Sequence, residues 1–447
     1  VAVLMVPFPA QSHLNQLLQF SCIVSSYGLP VHYLSSAIHI HQVKSRVNGI
    51  DPRRIGAVRF KDLPHPPFDS PQPDPNSENN FPSQFFPAWY AAMAFREPFA
   101  DYLRETCREY RRVVVVYDAG MAHVVRDAVS VENAESYAFR CLPAIFQAAL
   151  SIGKELPPWF PELPSLQECV PEEMLRFVAQ RGEALLLRDG DIHNTCRPIE
   201  APYLEVVERE EILGRRKSWA IGPTFPSTLK NTRHDHECFR WLDGQEPNSV
   251  VYVSFGTTTS LTDEQIGEIA FGLRRSGAKF LWVLRDADKA DIFDRETRRA
   301  ELPREFEEEE EAEGVGVVVR DWVPQIDVLR HPSTGGFLSH CGWNSCMESM
   351  FAGVPMGAWP MHSDQPTNAV FICGVLGMGL MVRDWSRRTE TVKASVVESC
   401  VRRLMTTSEG AELRRKAEEL GGIVAQATRP GGASSLEMDS FIAHITR

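Results

Sequence analysis

The chain of 447 residues is longer than one ordinary hydrophobic core supports, and its 43% hydrophobic and 24% charged content is that of a globular protein. We therefore expect two domains of roughly 200 residues each. A net charge of -12 without basic blocks argues against nucleic acid or an anionic membrane as a partner.

The N-terminal half begins with a strand, a helix and a second strand, read from VAVLMVPF, HLNQLLQFSCIVSSYG and PVHYLSS. In the middle segment, apolar residues recur at helical spacing from Leu14 to Ile23. A strand, helix and strand within about 35 residues predict a parallel sheet with a right-handed crossover. The apolar run from Val113 to Tyr117 predicts another buried strand of this sheet, which ends at Asp118. The stretch 65–82 is rich in Pro and polar residues and predicts a mobile loop that borders a cleft.

The second half repeats this alternation, with strands predicted at SVVYVSFG, KFLWVLR, GVGVVV, GGFLSH and VPMGAWP. Helices are predicted from Asp263 to Ser276, after Gly342, and in three patterns beyond about residue 392. The fold class is therefore α/β, with two parallel sheets in series. We place an N-terminal domain at 1–223, a linker at 224–247 and a C-terminal domain at 248–447.

Two polar segments are predicted to be solvated. One is the acidic run 307–311, and the other is the linker. His234, His236 and Cys238 lie close together in the linker, but in a polar segment we expect them to be solvated rather than bound to a metal ion. The ten cysteines form no C-x-x-C pair, and no apolar run is long enough for a membrane span. The chain also opens on a strand rather than on a leader-like segment, so we expect a reduced, cytoplasmic protein.

The stretch SHCGWNSCME concentrates polar chemistry in ten positions. A strand is expected to end at His340, Gly342 permits a tight turn, and Asn344 or Ser345 would cap the helix that follows. Ser345 and Glu348 have the spacing of a capping box. The alternative is that the helix N-terminus receives a phosphate, with His340 as a further donor and without a metal ion.

Cys341 and Cys346 invite a zinc or thiolate interpretation of the same stretch. A turn separates His340 from Cys346, which makes shared tetrahedral coordination a poor fit. We expect both cysteines to pack as small hydrophobic residues.

The segment WVPQIDVLRHPSTGGFLSHCGWNSCMESMFAGVPMGAWPMHSDQ, from Trp322 to Gln365, resembles the donor-binding signature of plant family 1 UDP-glycosyltransferases. The segments WLD and YVSFGT, upstream of it, are also similar to that family. The resemblance implies a GT-B fold, in which two Rossmann-like domains face each other across a cleft and the last helix crosses back to the N-terminal domain.

The resemblance also implies a role for each matching residue of the donor site. Trp322 would stack on uracil beside Val323, and Gln325 and Glu348 would bind the ribose. The diphosphate would be held by His340, Asn344, Ser345 and Thr257. The sugar hydroxyls would be faced by Trp343, Asp364 and Gln365. For Trp322 and Trp343, core packing is the alternative.

His13 is a candidate base because it lies where the first strand gives way to a helix. A helix N-terminus disfavours imidazolium, so we expect a neutral ring at pH 7. The resemblance implies that His13 takes the acceptor proton while Asp118 orients it. It further implies an inverting transfer with a UDP-sugar as co-substrate, a small-molecule acceptor, no metal ion, no other cofactor and a monomeric protein.

Donor and acceptor preferences follow from two details of the resemblance. Gln365 goes with glucose in this family. PFPAQSHLNQLLQFS and NTCRPIE resemble the zeatin O-glucosyltransferase branch, with the cis-zeatin type nearest, although Ser12 stands where Gly is usual and leaves the geometry of that turn open. A flavonoid or another small phenol or alcohol is the alternative acceptor, and a nucleotide-sugar or hormone binding protein is the alternative to an enzyme.

Four aromatic residues of the N-terminal half are candidates for contact with a purine acceptor. They are Phe81, Phe85, Phe86 and Trp89. Their rings would stack on the base, or they would simply pack a helix against the core. The sequence leaves both interpretations open.

Overall fold

The structure is a computed structural model that describes residues 1–47, 50, 52–77, 80–152, 156–180, 182–209, 216–225, 236–294, 300–304, 306 and 314–447. His234, the acidic run 307–311 and residues 226–235 of the predicted linker lie outside the described residues.

The N-terminal sheet has seven parallel strands in the order β3-β2-β1-β4-β5-β6-β7. These strands are β1 Ala2–Val6, β2 Val31–Ser35, β3 Val58–Asp62, β4 Val113–Asp118, β5 Ala134–Arg140, β6 Gly190–His193 and β7 Lys217–Ala220. The central strands are apolar on both faces because helices cover the sheet on both sides.

The C-terminal sheet has six parallel strands in the order β10-β9-β8-β11-β12-β13. These strands are β8 Val250–Ser254, β9 Lys279–Val283, β10 Gly316–Val319, β11 Thr334–Ser339, β12 Met356–Ala358 and β13 Gly379–Met381. The predicted α/β class with two Rossmann-like parallel sheets is confirmed.

The described helices of the first half are α1 Gln11–Ser26, α2 Ala37–Ser45, α3 Pro52–Ile55, α4 Phe86–Ala92, α5 Arg96–Glu109, α6 Ala122–Val125, α7 Ala144–Ile152, α8 Leu166–Cys169, α9 Glu172–Ala179, α10 Gly182–Leu185 and α11 Arg197–Arg209. Those of the second half are α12 Glu237–Asp243, α13 Asp263–Ser276, α14 Gln325–Leu329, α15 Trp343–Ala352, α16 Gln365–Val370, α17 Ala394–Thr406, α18 Ser408–Thr428 and α19 Ala433–Thr446. None of these helices combines the length and apolar character that a membrane span requires.

Local sequence signals explain the sharpest helix boundaries. The Thr262 hydroxyl accepts a hydrogen bond from the Gln265 N–H at the start of α13, and Gly277 ends this helix with a φ of 69°. The prediction that Cys238 lies in a solvated linker is wrong. Cys238 is buried in α12, whose N-terminus is capped by the side chain of His236.

The core is continuous between the two sheets. One buried cluster joins α7 and α11 of the N-terminal half to α15 and the segment around Phe371 of the C-terminal half, and it includes Tyr203 and Trp343. The last helix, α19, packs its Met438 and Phe441 against the N-terminal sheet, where Trp219 lies 5.2 Å from Phe441 by ring centroids. The cleft between the sheets is therefore bounded by apolar contacts that fix one half against the other.

Candidate active site

Both sheets present their switch points to the cleft. In the N-terminal sheet, β1 lies between β2 and β4. The chain continues from β1 to β2 on one side and from β4 to β5 on the other, so the switch point lies between β1 and β4. In the C-terminal sheet, β8 and β11 have the same relation, with Ser254 paired to Ser339. Ligands of open α/β sheets bind at these positions, outside the carboxyl ends of the strands.

His13 and Asp118 meet at the N-terminal switch point. His13 lies in the first turn of α1, Asp118 ends β4, and Nδ1 of His13 is 2.6 Å from Oδ2 of Asp118. The second carboxylate oxygen accepts a hydrogen bond of 2.8 Å from the Gly120 N–H. The imidazole is 24% exposed and the carboxylate 5%, so His13 faces the cleft while Asp118 supports it from behind.

The environment of His13 differs from the sequence-based expectation. Burial lowers the pKa of His13, but the charge and hydrogen bond of Asp118 outweigh burial, and the net effect is a pKa above the ordinary value. Burial raises the pKa of Asp118, but the charge and hydrogen bond of His13 act against burial, and the net shift of the Asp118 pKa is downward. The shift of the His13 pKa is therefore upward, whereas a helix N-terminus alone would lower it, because a carboxylate at 2.6 Å acts more strongly than the helix N-terminus.

Cys141 is a third member of this group. Its thiol lies 3.0 Å from the Asp118 Oδ2 and donates to it. His13, Asp118 and Cys141 would also be close enough to share a metal ion. Burial raises the pKa of Cys141 well above the ordinary value, so its sulfur is a protonated donor and a poor fit for metal ligation.

The turn after β11 has a different conformation from the one predicted. Cys341, rather than Gly342, has the left-handed backbone, with a φ of 63°, and its carbonyl accepts a hydrogen bond of 2.8 Å from the Asn368 side chain. Gly342 is needed for space, because a Cβ there would lie 2.6 Å from the His340 Nε2. The same distance separates that nitrogen from a Cβ placed at Gly256, so the His340 ring lies between the loops that follow β8 and β11.

Of the two alternatives for Ser345 and Glu348, the capping box is not formed. Helix α15 begins at Trp343 after Gly342, without a side-chain cap. Instead, the Gln325 amide donates to the Ser345 hydroxyl and to the Glu348 carboxylate, each at 2.8 Å. The first backbone bond of the helix comes from the Cys346 N–H to Gly342, so the preceding amides remain at a helix N-terminus of the kind that binds anions.

Trp343 and Asn344 connect the two domains. The buried Trp343 indole N–H donates to the Asn194 carbonyl at 3.0 Å, which favours the packing alternative for this side chain. The Asn344 amide donates to the Ser12 carbonyl at 3.2 Å, directly beside His13. Ser12 lies within α1 and is not among the residues with positive φ, so it causes no strain there.

Asp364 and Gln365 lie across the cleft from the base. Burial raises the pKa of Asp364, while His13 acts in the opposite direction, so the two groups are near neighbours. The Gln365 carbonyl oxygen accepts bonds from the backbone of Met361 and His362, which leaves only its amide group for a ligand. His362, which was not predicted as a site residue, contacts Thr258 at 3.3 Å.

The remaining donor-site candidates lie on adjoining segments. Trp322 is half-buried and Val323 is buried, just before α14. Thr257 is half-buried after β8, and its carbonyl accepts a hydrogen bond of 2.7 Å from Asp288.

The four predicted aromatic residues form a packed cluster. Phe81, Phe85, Phe86 and Trp89 are all buried, and Phe85 and Trp89 stack at 5.9 Å. The ring that connects this cluster to the base is Phe8, whose centroid is 5.2 Å from that of Trp89 and 5.5 Å from that of His13.

Comparison with known proteins decides the family. Residues 1–226 match the model described as Glycosyltransferase, N-terminal domain, and residues 227–388 match UDP-glucoronosyl and UDP-glucosyl transferase. The chain belongs to the UDP-glycosyltransferase family. It is 47% identical to the zeatin O-glucosyltransferase of Phaseolus lunatus and 46% identical to the zeatin O-xylosyltransferase of Phaseolus vulgaris, over 100% of this chain and 97% and 98% of those proteins. It is 40% identical to the cis-zeatin O-glucosyltransferase 1 of Zea mays, over 100% of this chain and 98% of that protein.

Solved structures agree on the fold. A UGT transferase from Siraitia grosvenorii in complex with UDP matches with a TM-score of 0.79 and 25% identity, over 100% of both chains. A UDP-glucosyltransferase from Polygonum tinctorium matches with a TM-score of 0.78 and 23% identity, over 100% of this chain and 99% of the other. This UDP-glycosyltransferase therefore has the GT-B fold.

In this UDP-glycosyltransferase, sequence reasoning missed Phe8, Cys141, Asn194 and His362. Cys141 could have been found as the residue directly after β5, at the same sheet edge as Asp118. His362 lies inside the donor-binding segment, and Phe8 lies between β1 and α1. Asn194 carries no comparable signal, because its role depends on a contact from the other half of the chain.

Proposed function

We propose that this protein transfers glucose from UDP-glucose to the side-chain hydroxyl of zeatin, with the cis isomer favoured, and forms an O-β-glucoside with inversion. The observation that carries the proposal is the His13–Asp118 pair at one switch point, which faces Asp364 and the α15 N-terminus of the other sheet. Near-full-length identity of 39–47% to proteins named for zeatin supports the acceptor.

The proposed reaction needs a base on the acceptor side. Nδ1 of His13 faces Asp118, so Nε2 is the nitrogen that takes the proton of the acceptor hydroxyl. The acceptor oxygen then forms a bond to the anomeric carbon while the bond to the UDP oxygen breaks, and UDP leaves with the electron pair. Asp118 stabilises the imidazolium that results, without taking the proton itself.

The donor would lie on the C-terminal sheet. We assign uracil stacking to Trp322 beside Val323, and ribose binding to Glu348 and Gln325. The hydrogen bonds that the Gln325 amide donates to Glu348 and Ser345 hold both side chains in place before the ribose arrives.

We assign the diphosphate to the α15 N-terminus with His340, Asn344, Ser345 and Thr257. The amide of Trp343 belongs to the same helix turn. The sugar hydroxyls would contact Asp364 and the amide group of Gln365, which has a second N–H beside the one that faces the His362 Nε2 at 3.4 Å.

We assign the acceptor to the aromatic side of the cleft. Phe8 approaches His13, and Phe81 approaches His362 at 5.7 Å between ring centroids. These rings would border a purine, and Phe85, Phe86 and Trp89 would support them from behind.

An acceptor panel tests the proposal. We expect UDP-glucose to be transferred to cis-zeatin faster than to trans-zeatin, dihydrozeatin or several flavonols. Broad activity on flavonols with little on any zeatin would replace the acceptor assignment. Binding of UDP-glucose or zeatin without turnover would favour a binding protein.

The donor sugar needs its own comparison, because relatives named for xylose and for glucose are almost equally similar. We expect UDP-glucose to exceed UDP-xylose and UDP-galactose as a donor, on account of Gln365. A clear preference for either of the other two would overturn this assignment.

We also propose that the enzyme works as a monomer in the cytoplasm and without a metal ion. Activity that is unchanged by EDTA and a monomeric mass in solution are the expected results. Loss of activity in EDTA with recovery on adding a divalent cation would contradict the metal-free mechanism.

A further inference from the structure

The Asp118 Oδ2 is shared by two donors. His13 Nδ1 lies 2.6 Å from this oxygen and Cys141 Sγ lies 3.0 Å from it. The other oxygen is held by the Gly120 N–H at 2.8 Å. The carboxylate is thus bonded on three sides, and Cys141 is the one side-chain donor that does not face the cleft.

We propose that Cys141 is a positioning residue of the dyad, whose thiol holds Oδ2 of Asp118 in place and limits the proton affinity that this carboxylate gives to His13. The role rests on the proposed base catalysis by His13. A neutral donor bonded to a carboxylate withdraws part of its charge, so less of that charge acts on the imidazolium.

The thiol is suited to this role because it stays protonated. Cys141 and Asp118 are both buried, and burial with the nearby carboxylate raises the pKa of Cys141 well above the ordinary value. The donor is therefore present at every pH at which the enzyme would work.

The backbone of Cys141 is tied to the helix that carries the base. The Gln16 side-chain amide of α1 donates to the Cys141 backbone carbonyl at 3.3 Å, and the Gln16 Oε1 accepts a 2.7 Å bond from the Asn194 side chain. Helix α1 thus positions both groups. It carries His13 and, three residues later, Gln16, which holds the backbone of Cys141.

Two further titratable groups face the dyad. Tyr33 of β2 lies behind it, and its hydroxyl donates to the Leu14 carbonyl at 2.9 Å. Asp364 faces His13 from the other domain. Burial raises the pKa of Tyr33 well above its ordinary value, so its hydroxyl stays protonated around neutral pH. Burial also raises the pKa of Asp364, and this carboxyl is unchanged in the Cys141 variants, so its effect on His13 is common to all of them.

The test compares Cys141→Ala, which removes the donor, with Cys141→Ser, which keeps one. Cys22→Ala is the control, since Cys22 is an equally buried thiol of α1 that lies away from Asp118. The His13 ring is titrated by NMR in each variant of the full chain, with its signal assigned from His13→Ala. The pH dependence of kcat is measured in parallel.

We expect Cys141→Ala to raise the His13 pKa, and with it the acid limb of the kcat profile, by roughly 0.5 pH unit. Cys141→Ser should stay at or below the wild-type value, and Cys22→Ala should match it. The KM for UDP-glucose should change less than about two-fold.

The proposal is overturned if the His13 pKa in Cys141→Ala equals that in the wild type. It is also overturned if the His13 pKa in Cys141→Ser rises as far as it does in Cys141→Ala. Should the titration move while the kcat profile does not, the link from Cys141 to His13 stands and base catalysis by His13 fails. The NMR result also decides the proposal if no acceptor is turned over.

Discussion

Two histidines of the cleft carry opposite pKa shifts because only one of them faces a carboxylate. Burial lowers the pKa of His340 to about 4, with only the Ser254 backbone acting against it, so this ring is neutral at physiological pH. His13 is also penalised by burial, but Asp118 raises its pKa above the ordinary value. His340 is thus fixed as a neutral donor and packing group, whereas Asp118 favours the charged form of His13.

The pH dependence of transfer should follow His13. General base catalysis needs the neutral ring, and the folded pKa lies above the ordinary 6.5, so the rate should fall as the pH drops through a value above 6.5. The measurement is kcat/KM between about pH 5 and pH 9. An acid limb centred below 6.5 would contradict the assignment.

Removal of the base should affect turnover rather than donor binding. We expect His13→Ala to lower kcat by about 10²–10⁴-fold and Asp118→Asn to cause a smaller loss of the same kind. The Kd of UDP, measured by calorimetry, should stay within about two-fold, because we assign UDP to the other sheet. A His13→Ala variant that keeps more than a few per cent of the wild-type kcat would contradict the assignment of His13 as the base.

At the scale of elements, the donor-side turn depends on two glycines that make room for one imidazole. The His340 ring occupies the space that a Cβ at Gly256 or Gly342 would need. This close contact connects the loop after β8 to the start of α15, and both would contact the diphosphate. The helix N-terminus is therefore aligned with the sheet edge by sterics rather than by a side-chain cap.

Gly342→Ala should disrupt this alignment. Its new Cβ would lie 2.6 Å from the His340 Nε2, so the turn must shift, and we expect UDP affinity to fall by at least about ten-fold. Gly422→Ala is the control, since it lies within α18 with no atom within 4 Å of the added Cβ. That control should raise the free energy of unfolding by about 0.5–1 kcal/mol. Wild-type UDP affinity in Gly342→Ala would show that the turn adapts without cost.

At the scale of the whole molecule, the halves are joined by polar contacts as well as by the apolar core. Arg46 binds Asp288 through two bonds, of 2.5 and 3.0 Å, and both side chains are largely buried. Arg285 also binds Asp288 at 3.0 Å. The segment after β9 is thus held against the C-terminal end of α2.

The Arg46–Asp288 pair should couple the two domains energetically. Asp288→Asn should lower the free energy of unfolding by about 3–5 kcal/mol, because Arg46 and Arg285 both lose their buried carboxylate. Arg46→Met should cost less, because Arg285 still pairs with Asp288. The double variant should show a coupling energy of about 0.5–3 kcal/mol. Arg176 and Glu172 form an exposed control pair, and breaking it should cost no more than about 0.5 kcal/mol. Additive effects of Arg46→Met and Asp288→Asn in chemical denaturation would refute the coupling.

Much of the fold was predictable because its signals are local. The apolar runs of β1, β4, β8 and β11, and the cap and left-handed glycine of α13, each lie within one short segment. The donor-binding segment is also contiguous, from Trp322 to Gln365. Strands β3, β5, β6, β7 and β13 were missed, because they are short or interrupt their apolar residues with polar ones.

By itself, the sequence determined the α/β class, the family motif and His13 and Asp118 as candidates, since chain order and residue type suffice for these. Only the tertiary structure decided that Cys141 reaches Asp118, that Trp343 faces Asn194 and that Ser345 and Glu348 share Gln325. Each of these contacts joins residues that are separated by 20 or more positions, or lie in different domains. Local propensity holds no information about such pairs, because their geometry arises only when the sheets and the cleft are assembled.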